Sequence, residues 1–143
     1  MKKNTVLLVT LLLVMTLVSA CSAAPAATEE VVETAVLTVG EKAYTKADLE
    51  ALGTMSADYT DKDGVTTTYE GVSLSALLDD AGLSGSTEIT LTASDGYEAS
   101  LTVEEAVACA NCIVAFDGDM LRTVMPDMSG KLNVKDVIAI SGN

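Results

Sequence analysis

Histidine is missing from all 143 residues, and that absence removes several kinds of chemistry at once. No Ser-His-Asp or Cys-His nucleophile can be assembled, and no imidazole is on hand for a metal. Basic residues are scarce as well: eight Lys and Arg stand against 21 Asp and Glu, a net charge of −13. Nucleic acid is thereby excluded as a partner, because binding it takes a basic footprint that displaces counterions. Only three cysteines occur, Cys21, Cys109 and Cys112. The later two, without histidine, fall short of the four ligands that a structural zinc prefers. No glycine-rich run precedes a helical pattern, so a phosphate loop is absent too.

What the chain does have starts with a leader. Lys2 and Lys3 precede an apolar run from Val6 to Val18, closed by the small residues Ser19 and Ala20. That is a signal-peptide layout, and the run is shorter than the roughly 20 residues of a transmembrane helix. Leu17 to Cys21, LVSAC, resembles the lipobox read by the lipoprotein signal peptidase. The resemblance implies that residues 1–20 are a cleaved signal peptide and that Cys21 carries a diacylglyceryl thioether. Two or more acyl chains give stable anchoring, since about 0.8 kcal/mol per buried methylene leaves a single chain marginal. The expected location is the cell membrane, lipid-anchored and facing outside the cytoplasm, with the membrane as a partner through Cys21.

Loss of residues 1–20 leaves six cations against the same 21 acids, a net charge of −15. Such a field keeps an exported protein soluble and repels anionic headgroups. Within residues 21–34, the stretch Ser22 to Thr34 is rich in Ala, Thr and Glu, contains Pro25 and has no apolar periodicity. It reads as a flexible tether. Residues 35–143 follow as one domain, long enough for a single core of usual size.

Along that domain, Val36 to Val39 and Lys42 to Tyr44 predict a short hairpin, and Thr45 caps a helix through Asp48 and Leu49. Met55, Ala57 and Tyr59 alternate with polar residues, Asp61-Lys62-Asp63-Gly64 turns the chain, and Val65, Thr67 and Tyr69 alternate on the return. Leu74, Leu77, Leu78 and Ala81 lie at helical spacing between Ser73 as a cap and Gly82 as a stop. Glu88 to Thr92 and Tyr97 to Leu101 flank the turn Ser94-Asp95-Gly96, and Thr102 opens a helix with Glu104 and Glu105 in its first turn. Three more strands are expected, at Ile113 to Phe116, Leu121 to Met125 and Val134 to Ile140. The sum is an α+β domain, mainly β, with two or three short helices.

The ordered motifs LTVGEKAYTKADLEAL, YEGVSLSALLDDAGL, ITLTASDGYEASLTVEEA, IVAFDGD, MLRTVMPD and SGKLNVKDVIAI span nearly all of residues 36–143. In order and spacing, more than in any single piece, they resemble the oxidoreductase molybdopterin-binding domain family, best known from sulfite oxidases and related reductases. The resemblance implies a sulfite-oxidase-type fold with a mixed sheet. In the family's enzymes one cysteine thiolate ligates molybdenum, shortly before the stretch matched here by Tyr69 to Leu83. No cysteine occurs there in this sequence, and soft metals want thiolate or imidazole donors. Arg122, Lys131 and Lys135 fall where the family places basic residues, some of which contact the cofactor's phosphate. Together they suggest an anion pocket. The plainer alternative pairs Arg122 with an acid such as Asp119 or Asp127 and leaves the lysines solvated.

The resemblance thus implies a binding or accessory module of a membrane redox system without the usual molybdenum centre. Its partner would be a membrane redox protein or a small anionic ligand. A molybdopterin-dependent oxidoreductase, holding the cofactor through Arg122, Lys131 and Lys135, is the first alternative. The second is a thiol-disulfide protein working through Cys109 and Cys112. A structural disulfide or two buried thiols suit that pair better, since it follows the helix from Thr102 and meets the dipole's negative end. Tyr59 to Glu70 imitates a calcium loop but has tyrosine at the first ligand position, so it is expected to be a hairpin. Tyr97 offers a face for stacking, although an Asp-Gly turn needs no ligand to explain it. Met120, Met125 and Met128 suggest a soft-copper cluster, with core filling as the simpler role.

Overall fold

The computed structural model describes residues 33–143. The leader expected at residues 1–20, the lipidation expected at Cys21 and most of the tether expected at residues 21–34 lie outside the described residues. Nine strands and three short α-helices make up the described part. They run β1 Leu37–Val39, β2 Lys42–Tyr44, α1 Lys46–Ala51, β3 Thr54–Thr60, β4 Thr66–Ser73 and α2 Leu74–Asp80. Then come β5 Glu88–Ala93, β6 Glu98–Thr102, α3 Val103–Ala108, β7 Ile113–Asp117, β8 Met120–Val124 and β9 Val137–Gly142.

Two sheets result. One has the order β2-β1-β9-β5-β6 and is mixed, because β1 runs parallel to β9; the other, β3-β4-β7-β8, is antiparallel throughout. The class is α+β, mainly β. Local chemistry sets the element boundaries. Thr45 and Thr102 each accept from the backbone N–H three residues on, while Asp48 and Glu105 reach back to the cap's own N–H, so two orphan donors are satisfied at each helix start. Ser73 occupies the equivalent place before α2, but its hydroxyl pairs with Ser75 instead of capping. Gly64 and Gly96 turn the two long hairpins at φ +81° and +86°, a region open to glycine.

The main core joins both sheets. Leu37, Val39, Ile89, Leu91 and Ile140 of the mixed sheet meet Val72, Val114 and Leu121 of the other, with Leu49 of α1 and Leu74, Leu77 and Leu78 of α2 between them. Strand alternation gives the antiparallel sheet a second apolar face of Ala57, Ile113, Ala115 and Val124, edged by Met55, Tyr59 and Tyr69. That face is covered because the sheet curls until β3 reaches β7 and β8 as well as its neighbour β4. Gly71 permits the tight curl. A β-carbon there would lie 2.2 Å from the Val114 carbonyl oxygen and 2.4 Å from the Ala115 Cα.

The last strand starts later than its sequence suggests. Val134 and Lys135 lie against β8, where Lys135 bridges Arg122, and Asp136 turns the chain at φ +50° before β9 begins at Val137. Thr123, fully buried, fixes this segment. Its hydroxyl donates to the Leu132 carbonyl at 2.5 Å and accepts from the Val134 N–H at 2.7 Å. Replacement Thr123→Val keeps the shape but strands both buried backbone groups. It should cost about 3 kcal/mol, at about 1–3 kcal/mol for each unsatisfied group, and denaturant unfolding measures it.

Three carboxylates are held below the usual range by donors that they meet only in the fold. Asp80 is lowered first by Lys42 and then by Tyr44, Asp48 by the Thr45 backbone N–H, and Glu105 by the Thr102 hydroxyl. The unfolded chain therefore binds more protons in acid. The stability from these groups is present above about pH 4.5, where the unfolded carboxylates are ionised, and is lost as pH falls through the lower folded values. Thermal unfolding across that window should show a shallower acid limb for Asp80→Asn than for the parent chain. Identical limbs would mean that Asp80 carries none of it.

Candidate functional site

Arg122 is only 4 % exposed, although it is charged and lies in mid-strand on β8. Across the sheet it pairs with Ala115 of β7, which pairs in turn with Gly71 of β4, so all three share the second apolar face. Small neighbours leave room for the guanidinium to lie along that face. Its carbon stands 4.5 Å from the centre of the Tyr69 ring and 5.1 Å from that of Tyr59. Nη1 donates to the Tyr69 hydroxyl at 2.7 Å and makes a longer 3.4 Å ion pair with Asp117. Cation–π contact contributes about 2 kcal/mol in a desolvated setting. The Arg122 Nε is buried and has no partner.

The partner acid is Asp117, not Asp119 or Asp127. In the β7–β8 hairpin Ala115 faces Arg122, and residue 117 points to the same side two places on, whereas Asp119 falls in the turn. Asp117's carboxylate is 40 % exposed, so water screens it and the pair is weak.

Around this guanidinium the structure gathers a hollow of about 370 Å³, lined by Tyr59, Asp61, Lys62, Val65, Thr67, Tyr69, Arg122 and Lys135. Three of the six cations beyond residue 20 meet here. Among the described residues neither Lys62 nor Lys135 makes an ion pair, whereas Lys42 holds Asp80 and Lys46 holds Glu50. Asp61, the acid on the rim, spends one carboxylate oxygen on the N–H groups of Asp63 and Val65, which shapes the hairpin turn. The calcium-like stretch Tyr59 to Glu70 is thus a β-hairpin.

Of the three basic residues grouped by the sequence, Arg122 and Lys135 line this hollow. Lys131 lines another, of about 440 Å³, with Tyr97, Glu98, Glu105 and Ser129. There its carbonyl accepts from the Tyr97 hydroxyl at 3.1 Å, and the flanking glutamates make a poor anion site. Lys62 and the two tyrosines are additions that the sequence hid. Their one signal was the hairpin itself, whose turn carries Lys62 and whose alternation puts Tyr59, Thr67 and Tyr69 on one side. The three methionines do not form one cluster: Met120 opens β8 and is exposed, whereas Met125 is buried in the main core, against which Met128 packs.

Cys109 and Cys112 are joined in a disulfide at the C-terminal end of α3. The described residues therefore offer no free thiolate, and the sequence has no imidazole, so the donor set does not fit a thiolate-ligated molybdenum. No protein-family model matches the chain, and no curated protein matches it.

Arg122's own role can be separated from its role in folding. Burying a charge with one orphaned donor costs several kcal/mol, which the tyrosine contacts offset in part. Arg122→Met should leave unfolding free energy within about 1 kcal/mol of the parent. A loss above about 3 kcal/mol in urea titration would mark the side chain as a structural post.

Proposed function

We propose that this chain is a lipid-anchored extracytoplasmic binding module that takes a small anion in the Arg122 hollow and serves a membrane redox system. Its fold in this reading is of the sulfite-oxidase type, with the molybdenum ligand absent. The motif order across residues 36–143 supports the fold, and the LVSAC sequence at Leu17 to Cys21 supports the anchor.

One observation carries the anion reading. In a chain with 21 acids, three cations and two tyrosines surround one hollow, and the cation at its base is buried with an unpartnered donor. Low exposure strengthens attraction between such a guanidinium and an oxyanion. The lysines at the rim add charge without committing to a protein acid. Lys131, in its separate acidic hollow, has no part in this site.

The test uses the full chain, purified from a host that makes molybdopterin. Elemental analysis should find no stoichiometric molybdenum or tungsten. Calorimetric titration with inorganic phosphate or pyrophosphate should saturate, weaken as salt rises, and disappear in Arg122→Met. A pterin chromophore with one molybdenum per chain would replace the module by an oxidoreductase. A parent chain that binds neither anion would sink the module reading.

A further inference from the structure

We propose that, when its disulfide is reduced, the chain holds one monovalent copper ion in a three-sulfur site made by Cys109, Cys112 and Met128. This site uses none of the residues of the Arg122 hollow, so the two proposals stand or fall separately.

The sulfurs are brought together by two pieces of chain, the Cys109–Cys112 turn and the stretch after β8. Cys109 caps the end of α3, Cys112 lies fully buried just before β7, and the turn between them closes with the Cys112 N–H donating to the Cys109 carbonyl. Met128 follows β8, where its own N–H donates to the Met125 carbonyl and brings its thioether against the pair. The Met128 Sδ lies 3.6 Å from the Cys112 Sγ. A metal about 2.3 Å from each of three sulfurs needs those sulfurs about 4 Å apart. One side of the triangle is therefore within a few tenths of an ångström of its required length before any metal enters. Opening the disulfide frees the Cys109 sulfur to set the other two.

Access and selectivity follow from the surroundings. Cys109 is half-buried and lines a hollow of about 460 Å³ with Met128, while Cys112 is sealed in the core. An external dithiol reaches Cys109 first. Its thiolate attacks the Cys109 sulfur, Cys112 leaves as a thiolate, and the second external thiol completes the exchange. Two electrons pass to the protein, the dithiol becomes a disulfide, and both cysteines take up a proton. Copper(I) then displaces those two protons and binds two thiolates and one thioether.

Soft sulfur donors favour copper(I), whereas zinc asks for a fourth ligand. No group of three His, Cys, Asp or Glu able to hold a metal occurs among the described residues, so methionine is the distinguishing third donor. Glu105 and Asp127 line the same hollow and draw cations toward it.

The experiment reduces the full chain with a dithiol, removes the dithiol under nitrogen, and titrates copper(I) against a chromogenic copper(I) chelator. The reduced chain should withdraw one copper from the chelator and the oxidised chain none. X-ray absorption should count three sulfurs around the metal. Met128→Leu should weaken binding at least about tenfold, since even a group that only supports a metal ligand is worth about 10–100-fold, and lower the count to two. Cys109→Ser, checked for folding by thermal unfolding, should abolish competition. The site is refuted if the native disulfide resists the dithiol, if the reduced chain leaves the chelator's copper in place, or if Met128→Leu binds as tightly with the same sulfur count.

Discussion

The hydroxyl of Thr123 is a small group on which much of the arrangement depends. It stitches residues 132–134 to β8, the edge strand of the antiparallel sheet, and the chain then passes directly into β9, the central strand of the mixed sheet. Two further bonds support the seam, from the Thr123 N–H to the Val134 carbonyl and from the Met125 N–H to the Asn133 side chain. A buried hydroxyl is costly unless it is bonded, and this one is bonded on both sides. The seam thus sets how β8 hands over to β9, and it places Lys135 beside Arg122. Without it the hollow would lose one of its three cations.

Arg122 poses the opposite case, a buried group left partly unsatisfied. Apolar filling of the curled face would need no guanidinium, since Ala57, Ile113, Ala115 and Val124 already close it. Two tyrosine faces and one hydroxyl stabilise the charge, Asp117 is too exposed to neutralise it, and Nε goes unpaired. An arrangement with attraction in reserve is what a ligand with negative charge can use. Lys131 stands apart from this hollow, since it lines another with Glu98 and Glu105.

How far the sequence foretold this depends on the range of the interactions concerned. Thr45 with Asp48 and Thr102 with Glu105 are three-residue relations, and the capping boxes follow from them directly. The Asp-Gly turns were legible for the same reason. Ser73 was not, because its hydroxyl had Ser75 as a rival partner. The start of β9 was misread by three residues because Val134 and Lys135 answer to β8, not to their own strand. Arg122 was visible as a rare cation, but Tyr69 lies 53 residues away, and no local pattern reports a contact of that range. Lys62 joined the site by way of a hairpin whose turn was legible and whose curl was not.

Strand parity keeps the two candidate sites apart. Arg122 shares the face of Ala115 and Ile113, the small apolar cluster inside the curl. Cys112 packs with Val114 and Leu121 in the main core, on the other face of the same hairpin, with Cys109 and Met128 against it. Alternation along β7 puts residues 113 and 115 on one side and 112 and 114 on the other. A ligand at the guanidinium therefore meets the sheet from one side, and an ion at the sulfurs meets it from the other. Any coupling between them has to pass through the β7–β8 backbone, which Gly71 and the Thr123 seam hold on both flanks. A rigid hairpin of this kind transmits little unless it has a second packing to adopt. Independent occupancy is thus the physical expectation for a domain with one site on each face.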